Sequence, residues 1–224
     1  MPRRYESFVQ NGIYHIYNKA IEKTKIFTNQ EVGLFINILV YYRSSVIQQR
    51  YSDFLVMDVN DKKDVMAKIL SEKSFYFDCY SYCFMPNHFH LLLKQRTDTS
   101  LSQILRKVLI SFTRCYNQLK NRQGPLFLPQ FKTVEIFNEE QFKHVSRYIE
   151  LNPYSSGLVR KIIDLKYYPF SSFKYYVTKK KSNLCSTDFI LDLFNHNLDS
   201  YQRFVFDQAD YQRSLEIIKK SRLL

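Results

Sequence analysis

Asn87-His88-Phe89-His90 sets two imidazoles on either side of one bulky apolar residue, behind a Met85-Pro86 turn and ahead of the aliphatic run Leu91-Leu92-Leu93. A Pro-Asn turn followed by such a run predicts a β-strand. Side chains alternate faces along a strand, so His88 and His90 share one face while Phe89 takes the other. Two imidazoles on one face are half of a metal site. A single histidine near a strand end is more often a hydrogen-bonded packing residue, so the pair needs partners from elsewhere in the chain.

A matching half lies some sixty residues on. Asn138 followed by Glu139, Glu140 and Gln141 has the form of a helix N-cap with acidic first-turn residues, a variant of the capping box. The helix is expected to end near Asn152, because Pro153 disfavours α geometry before it and donates no backbone bond. Phe142, Val145 and Ile149 form its core stripe, and beside that stripe His144, Tyr148 and Asn152 recur at i, i+4 on one face. Docked next to the histidine strand, this face would offer the Asn152 oxygen as a third ligand, with His144 in support. Tyr148 would then point at whatever the metal holds. A phenol with a free pKa of about 10 is a poor nucleophile unless nearby groups favour its phenolate. A divalent metal supplies the other half by binding a phosphate oxygen and withdrawing charge. The pairing predicts a tyrosyl phosphodiester. Tyr116-Asn117 is the rival nucleophile, but Tyr116 falls on the apolar stripe of its own helix and reads as core.

The elements that must position these residues follow from periodicity. Gly12 to Asn18 alternates as a first strand, within which His15 reads as structural. A helix is expected from Asn29 or Gln30 to about Arg43, with Val32, Phe35, Ile36, Leu39 and Val40 as its apolar stripe. Residues 44–73 form an elaboration in which Tyr51 to Val59 is a short strand or loop and Asp61 to Leu70 a short helix. Ser74 to Phe84 reads as a strand buried on both faces, turning back into the histidine strand as a hairpin. Ser100 caps a long amphipathic helix that Gly124-Pro125 stops, and Phe131 to Phe137 is a further strand. The order βαββαβ predicts an α+β, ferredoxin-like antiparallel sheet with helices on one face, followed by a helical C-terminal extension.

The 224 residues carry 33 Lys and Arg against 21 Asp and Glu, a formal net charge of +12, interleaved with 18 Tyr and 19 Phe. Cations mixed with aromatics suit a polyanion whose bases can be stacked upon, so nucleic acid, with a single strand as one form it could take, is the expected partner. The candidate DNA contacts are Arg3 and Arg4 in the N-terminal arm; Arg106, Lys107, Arg114, Lys120 and Arg122 along the long helix; Lys132; and Lys179, Lys180 and Lys181. A solvated basic face is the alternative for the helix stripe. Cys79, Cys83, Cys115 and Cys185 lack metal or redox spacing, and the N-terminus has no apolar signal region, which predicts a cytoplasmic protein, one that a DNA partner would associate with the nucleoid. No apolar run is long enough for a membrane span.

Taken together, Tyr14-His15-Ile16-Tyr17-Asn18, Cys83-Phe84-Met85-Pro86-Asn87-His88-Phe89-His90-Leu91-Leu92, Tyr148-Ile149-Glu150-Leu151-Asn152-Pro153 and Tyr168-Pro169-Phe170-Ser171-Ser172 resemble the single-tyrosine HUH transposases, in particular the REP-associated tyrosine transposase branch. The resemblance implies Mg2+ or Mn2+ at His88 and His90, and Tyr148 cleaving hairpin-forming single-stranded DNA to leave a 5′-phosphotyrosyl link. It puts Asn152 where related insertion-sequence enzymes carry a glutamine ligand. It covers roughly residues 8 to 176, so residues 1–176 are expected to form the catalytic domain, while Lys179-Lys180-Lys181 and the amphipathic segments after it mark 177–224 as a basic, mainly helical extension. Monomer and homodimer both stay open, since related enzymes include each. A non-catalytic nucleic-acid binder on the same sheet is the competing reading. A replication initiator or relaxase using the same chemistry is a third.

Overall fold

In the computed structural model, which describes residues 8–178 and 180–221, four strands form one sheet: Ile13–Lys19 (β1), Phe77–Met85 (β2), His88–Gln95 (β3) and Lys132–Ile136 (β4). Their order is β2-β3-β1-β4 and every neighbouring pair is antiparallel, the expected ferredoxin-like arrangement. The helices are Asn29–Arg43 (α1), Tyr51–Val56 (α2), Val59–Glu72 (α3), Leu101–Leu119 (α4), Glu139–Ser155 (α5), Phe173–Val177 (α6), Asp188–Asp192 (α7), Leu198–Phe206 (α8) and Ala209–Ser221 (α9). Arg3, Arg4 and Lys179 lie outside the described residues. Among those described, no helix is long and apolar enough to cross a membrane.

The two crossover helices, α1 and α4, cover one face of the sheet. Phe35 of α1 meets Phe112 of α4 at 4.9 Å between ring centroids, and Phe84 and Phe89 of the β2-β3 hairpin at 5.2 and 5.1 Å. All four rings are fully buried, and emptying one such site costs about 3–5 kcal/mol, a large part of a typical domain's stability. The adjacent His90 points the other way, toward α5, as strand alternation requires.

β2 ends the sheet, yet all nine of its residues are buried. The chain after α5 returns along its outer edge: Phe84 N–H donates to Phe170 O at 2.9 Å, Ser172 N–H to Tyr82 O at 3.0 Å, and Ser186 N–H to Cys79 O at 2.8 Å. That pairing removes an open edge that would otherwise recruit another strand.

Two local expectations are corrected. Tyr51 to Val56 is helical rather than strand or loop, because Tyr51 and Phe54, one helical turn apart, both pack on Tyr41, with centroids 5.2 and 5.1 Å away. Helix α5 does not stop near Asn152 but runs to Ser155 with Pro153 in its last turn. The carbonyl of Ile149 that Pro153 cannot serve lies 3.5 Å from the Asn152 side-chain amide, which also donates to Tyr148 O at 2.8 Å. The side chain thus stands in for the bond proline removes.

Candidate active site

The histidine pair is held from below and from the side. In the turn before β3, Pro86 O accepts from Ile26 and Phe27 N–H at 2.7 and 3.1 Å, and Asn87 O accepts from Ala20 N–H at 2.8 Å, so the loop after β1 clamps the hairpin tip. The ring planes of His88 and His90 are nearly perpendicular, with centroids 5.2 Å apart. His88 Nδ1 lies 2.7 Å from Asn87 Oδ1. His90 Nδ1 lies 2.9 Å from Nε2 of His15 on β1. With each Nδ1 engaged in this way, a metal held by either histidine would be ligated through Nε2, and a pair of imidazoles on one strand face is a donor set that a divalent cation accepts. Among the described residues no group of three or more His, Cys, Asp and Glu side chains converges. An amide oxygen, or oxygens of a bound ligand, would have to complete a divalent ion's shell.

His15, which local sequence pattern marks only as structural, sits inside the site. Its backbone pairs with Leu92, and that of Tyr17 with His90, so His15 and His90 are diagonal neighbours on the same face. Both side chains are buried, and burial pushes the His15 pKa down to about 4. Tyr17 packs against His90 at 5.5 Å and against His15 at 5.3 Å, so the three rings form a cluster. The only signal in the sequence was the period-two spacing of His15 and Tyr17; the strand register that gives it meaning is not local.

Helix α5 brings Tyr148 to this cluster. Asn138 Oδ1 caps it by accepting from Gln141 N–H at 2.8 Å, while Gln141 Oε1 reaches back to Phe137 N–H at 2.9 Å, one residue beyond the usual capping-box partner. The Tyr148 ring lies 5.7 Å from His90 and 5.9 Å from His15, edge-on to both. It stays 37% exposed, so a ligand can reach it. Its partial burial raises its pKa above the ordinary phenol value, with Glu216 and Tyr17 adding to the rise and a side-chain hydrogen bond from Asn152 opposing it. The hydrogen bond from Asn152 Nδ2 to Tyr148 goes to its backbone carbonyl, at 2.8 Å. His144, one turn earlier, turns to Arg147 (2.6 Å) and Glu140 (3.6 Å), and faces Phe204 of α8. Helix α9 flanks α5: Gln212 Nε2 donates to Tyr148 O at 3.1 Å, and Tyr154 Oη to Asp210 Oδ1 at 2.7 Å.

What fixes α5 on the sheet is a buried carboxyl. Glu150 is fully enclosed between α5, β2 and the start of α6. Its Oε1 accepts from Ser81 Oγ at 3.1 Å and from Ser172 Oγ, while Ser146 one turn earlier bonds Tyr201 Oη of α8 at 2.8 Å. Burial pushes the Glu150 pKa up to about 8 against these hydrogen bonds, so the carboxyl is mostly neutral at pH 7.

The basic residues separate into three groups. Arg106, Arg114 and Lys132 line one groove of about 1280 Å³ between α4, the 124–131 segment and β4, with Phe8, Ile110 and Phe131 among its walls and no acidic side chain. Lys107, Lys180 and Lys181 are exposed elsewhere. Lys120 is instead paired with buried Glu31 at 2.8 Å. Arg122 closes the turn after α4 through Asn117 Oδ1 (2.8 Å) and Pro125 O (2.7 Å).

The family model described as "Transposase IS200 like" matches residues 36–152, just over half of the chain and both halves of the site. The protein belongs to this transposase family. A solved structure of a REP-associated tyrosine transposase bound to a REP hairpin shares its fold, with a TM-score of 0.53, 16% identity, and coverage of 84% of this chain and 93% of that one. No curated protein matches. Within the family match lie the His88-Phe89-His90 strand, Tyr148 and Asn152; His15 lies before it.

Proposed function

We propose that this transposase-family member cleaves and rejoins single-stranded DNA beside a hairpin, as in the REP-associated branch, with Tyr148 as the nucleophile. The observation that carries the reading is the contact of Tyr148 with His90 across the gap between α5 and β3. His88 and His90, with Asn152 as the amide donor, would hold Mg2+ or Mn2+. When bound, the ion would supply charge withdrawal from the scissile phosphate and orient it for in-line attack. Tyr148 Oη forms a bond to phosphorus as the bond to the 3′-oxygen breaks; the phenol proton is lost to solvent and the leaving oxygen takes one up. The 5′-phosphate stays on Tyr148 until another strand's 3′-hydroxyl attacks it and frees the phenol.

The DNA path follows from charge. Lys132 lines the basic groove, and its backbone pairs with Tyr17, which packs on His90. Phosphates held by Arg106, Arg114 and Lys132 would therefore lead along β4 to the tyrosine. The solved hairpin complex of the same fold supports a hairpin as the folded part of the substrate.

The test is incubation of the protein with hairpin-flanked single strands and Mn2+, followed by a denaturing gel. A covalent protein-DNA band that disappears in Tyr148→Phe supports the reading. Tight hairpin binding with no such band across a panel of hairpins would favour the non-catalytic binder.

A further inference from the structure

We infer that His15 is a positioning residue for the metal site: through its Nε2, 2.9 Å from Nδ1 of His90, it fixes which nitrogen His90 presents to a cation. The inference rests on the reading that His88 and His90 bind a divalent ion. A neutral imidazole has one N–H donor and one acceptor nitrogen, so the His15–His90 contact admits two proton arrangements. In one, His15 donates and the His90 proton sits on Nε2, which then cannot ligate. In the other, His90 Nδ1–H donates to His15 and Nε2 is the ligating atom. A cation selects the second, and His15 makes that state available by offering an acceptor.

His88 is served in the same manner. Its Nδ1 faces Asn87 Oδ1 at 2.7 Å, an oxygen that can only accept, so the Nδ1 proton is fixed there too. The two ligands thus have their tautomers set by one neighbour in sequence and one neighbour in the sheet. Packing keeps the second pair aligned. His15 and His90 are 8% and 5% exposed, and Tyr17 lies against both rings at 5.3 and 5.5 Å. Neither imidazole can swing away without displacing the other.

The experiment is a Mn2+ titration of the full chain without DNA, read by electron paramagnetic resonance, for wild type, His15→Phe, His15→Gln and His88→Ala. His15→Phe should weaken Mn2+ binding by roughly 10–100-fold, the usual cost of removing such a partner. Its hairpin affinity in EDTA should be unchanged. His15→Gln should return to within a few-fold of wild type, because its amide oxygen can accept from His90 Nδ1–H. If His88→Ala loses Mn2+ while His15→Phe binds as wild type, the positioning role is wrong and the metal reading survives. If His88→Ala also binds as wild type, the metal reading itself fails and the inference with it. Equal weakening in His15→Phe and His15→Gln would overturn it in favour of packing. A measurement on the unmodified protein removes dependence on any variant folding: nitrogen-15 spectra with Mg2+ should show the His90 proton on Nδ1, and a proton on Nε2 overturns the inference.

Discussion

The ring of Tyr148 on α5 stands 5.7 Å from that of His90 on β3 and almost perpendicular to it. This one relationship joins a helix and a strand whose candidate functional residues are 58 positions apart in the chain. Replacing Tyr148 by Phe keeps the ring contact and removes only the hydroxyl. The covalent adduct should fall by several orders of magnitude, as when a nucleophile is deleted, while hairpin affinity in a mobility-shift assay stays within a factor of about two. An adduct of wild-type yield in Tyr148→Phe would place the nucleophile elsewhere.

The raised pKa of Tyr148 gives the proposed cleavage a pH signature. With the phenol protonated at neutral pH, single-turnover cleavage should climb by about tenfold per pH unit from pH 6 to 9 without levelling off. Glu216→Gln removes the second-largest cause of the rise, after burial, and should move the profile toward lower pH. A profile that plateaus near pH 7 would mean that the phenol is activated before attack by a group with a much lower pKa.

Glu150 predicts an unusual stability profile. Its carboxyl is raised from 4.5 to about 8 in the fold, so between those values the folded state holds a proton that the unfolded state has released. This contribution to stability is full below pH 4.5, declines as pH rises, and is gone above about pH 8. One proton gives a slope of at most about 1.4 kcal/mol per pH unit. Urea denaturation from pH 5 to 8.5 should show the decline in wild type and lose it in Glu150→Gln. Identical slopes in the two proteins would rule out Glu150 as the source.

The basic groove is tested by salt. Alanine at Arg106, Arg114 and Lys132 together should weaken hairpin binding and shrink the slope of log K against log salt by about 0.7–0.9 for each phosphate no longer neutralised. Mn2+ affinity should not change, because none of the three touches the histidines. Lys120→Ala should leave the slope alone and lower stability instead, since it leaves the buried Glu31 carboxylate without that cation and with the neutral Thr28 hydroxyl as a donor. A salt slope unchanged by the triple substitution would move the DNA path off this groove.

What the sequence determined by itself is what short-range periodicity governs. The two-residue repeat placed His88 and His90 on one strand face, and the 3.6-residue repeat placed Tyr148 and Asn152 on one helix face. The same rules located β1, the β2-β3 hairpin, α1, α4 and the N-caps at Ser100 and Asn138, because each depends on residues within a few positions. Tertiary structure decided the rest. Strand register put His15 beside His90, since a pairing across 75 residues has no local signature. Enclosure of Glu150 by Ser81 and Ser172, from two separate segments, turned an ordinary helix glutamate into a neutral anchor. Packing on Tyr41 made a helix of Tyr51 to Val56, and the Asn152 side chain carried α5 past Pro153. Periodicity says which face a side chain takes; only the assembled fold says what stands opposite it.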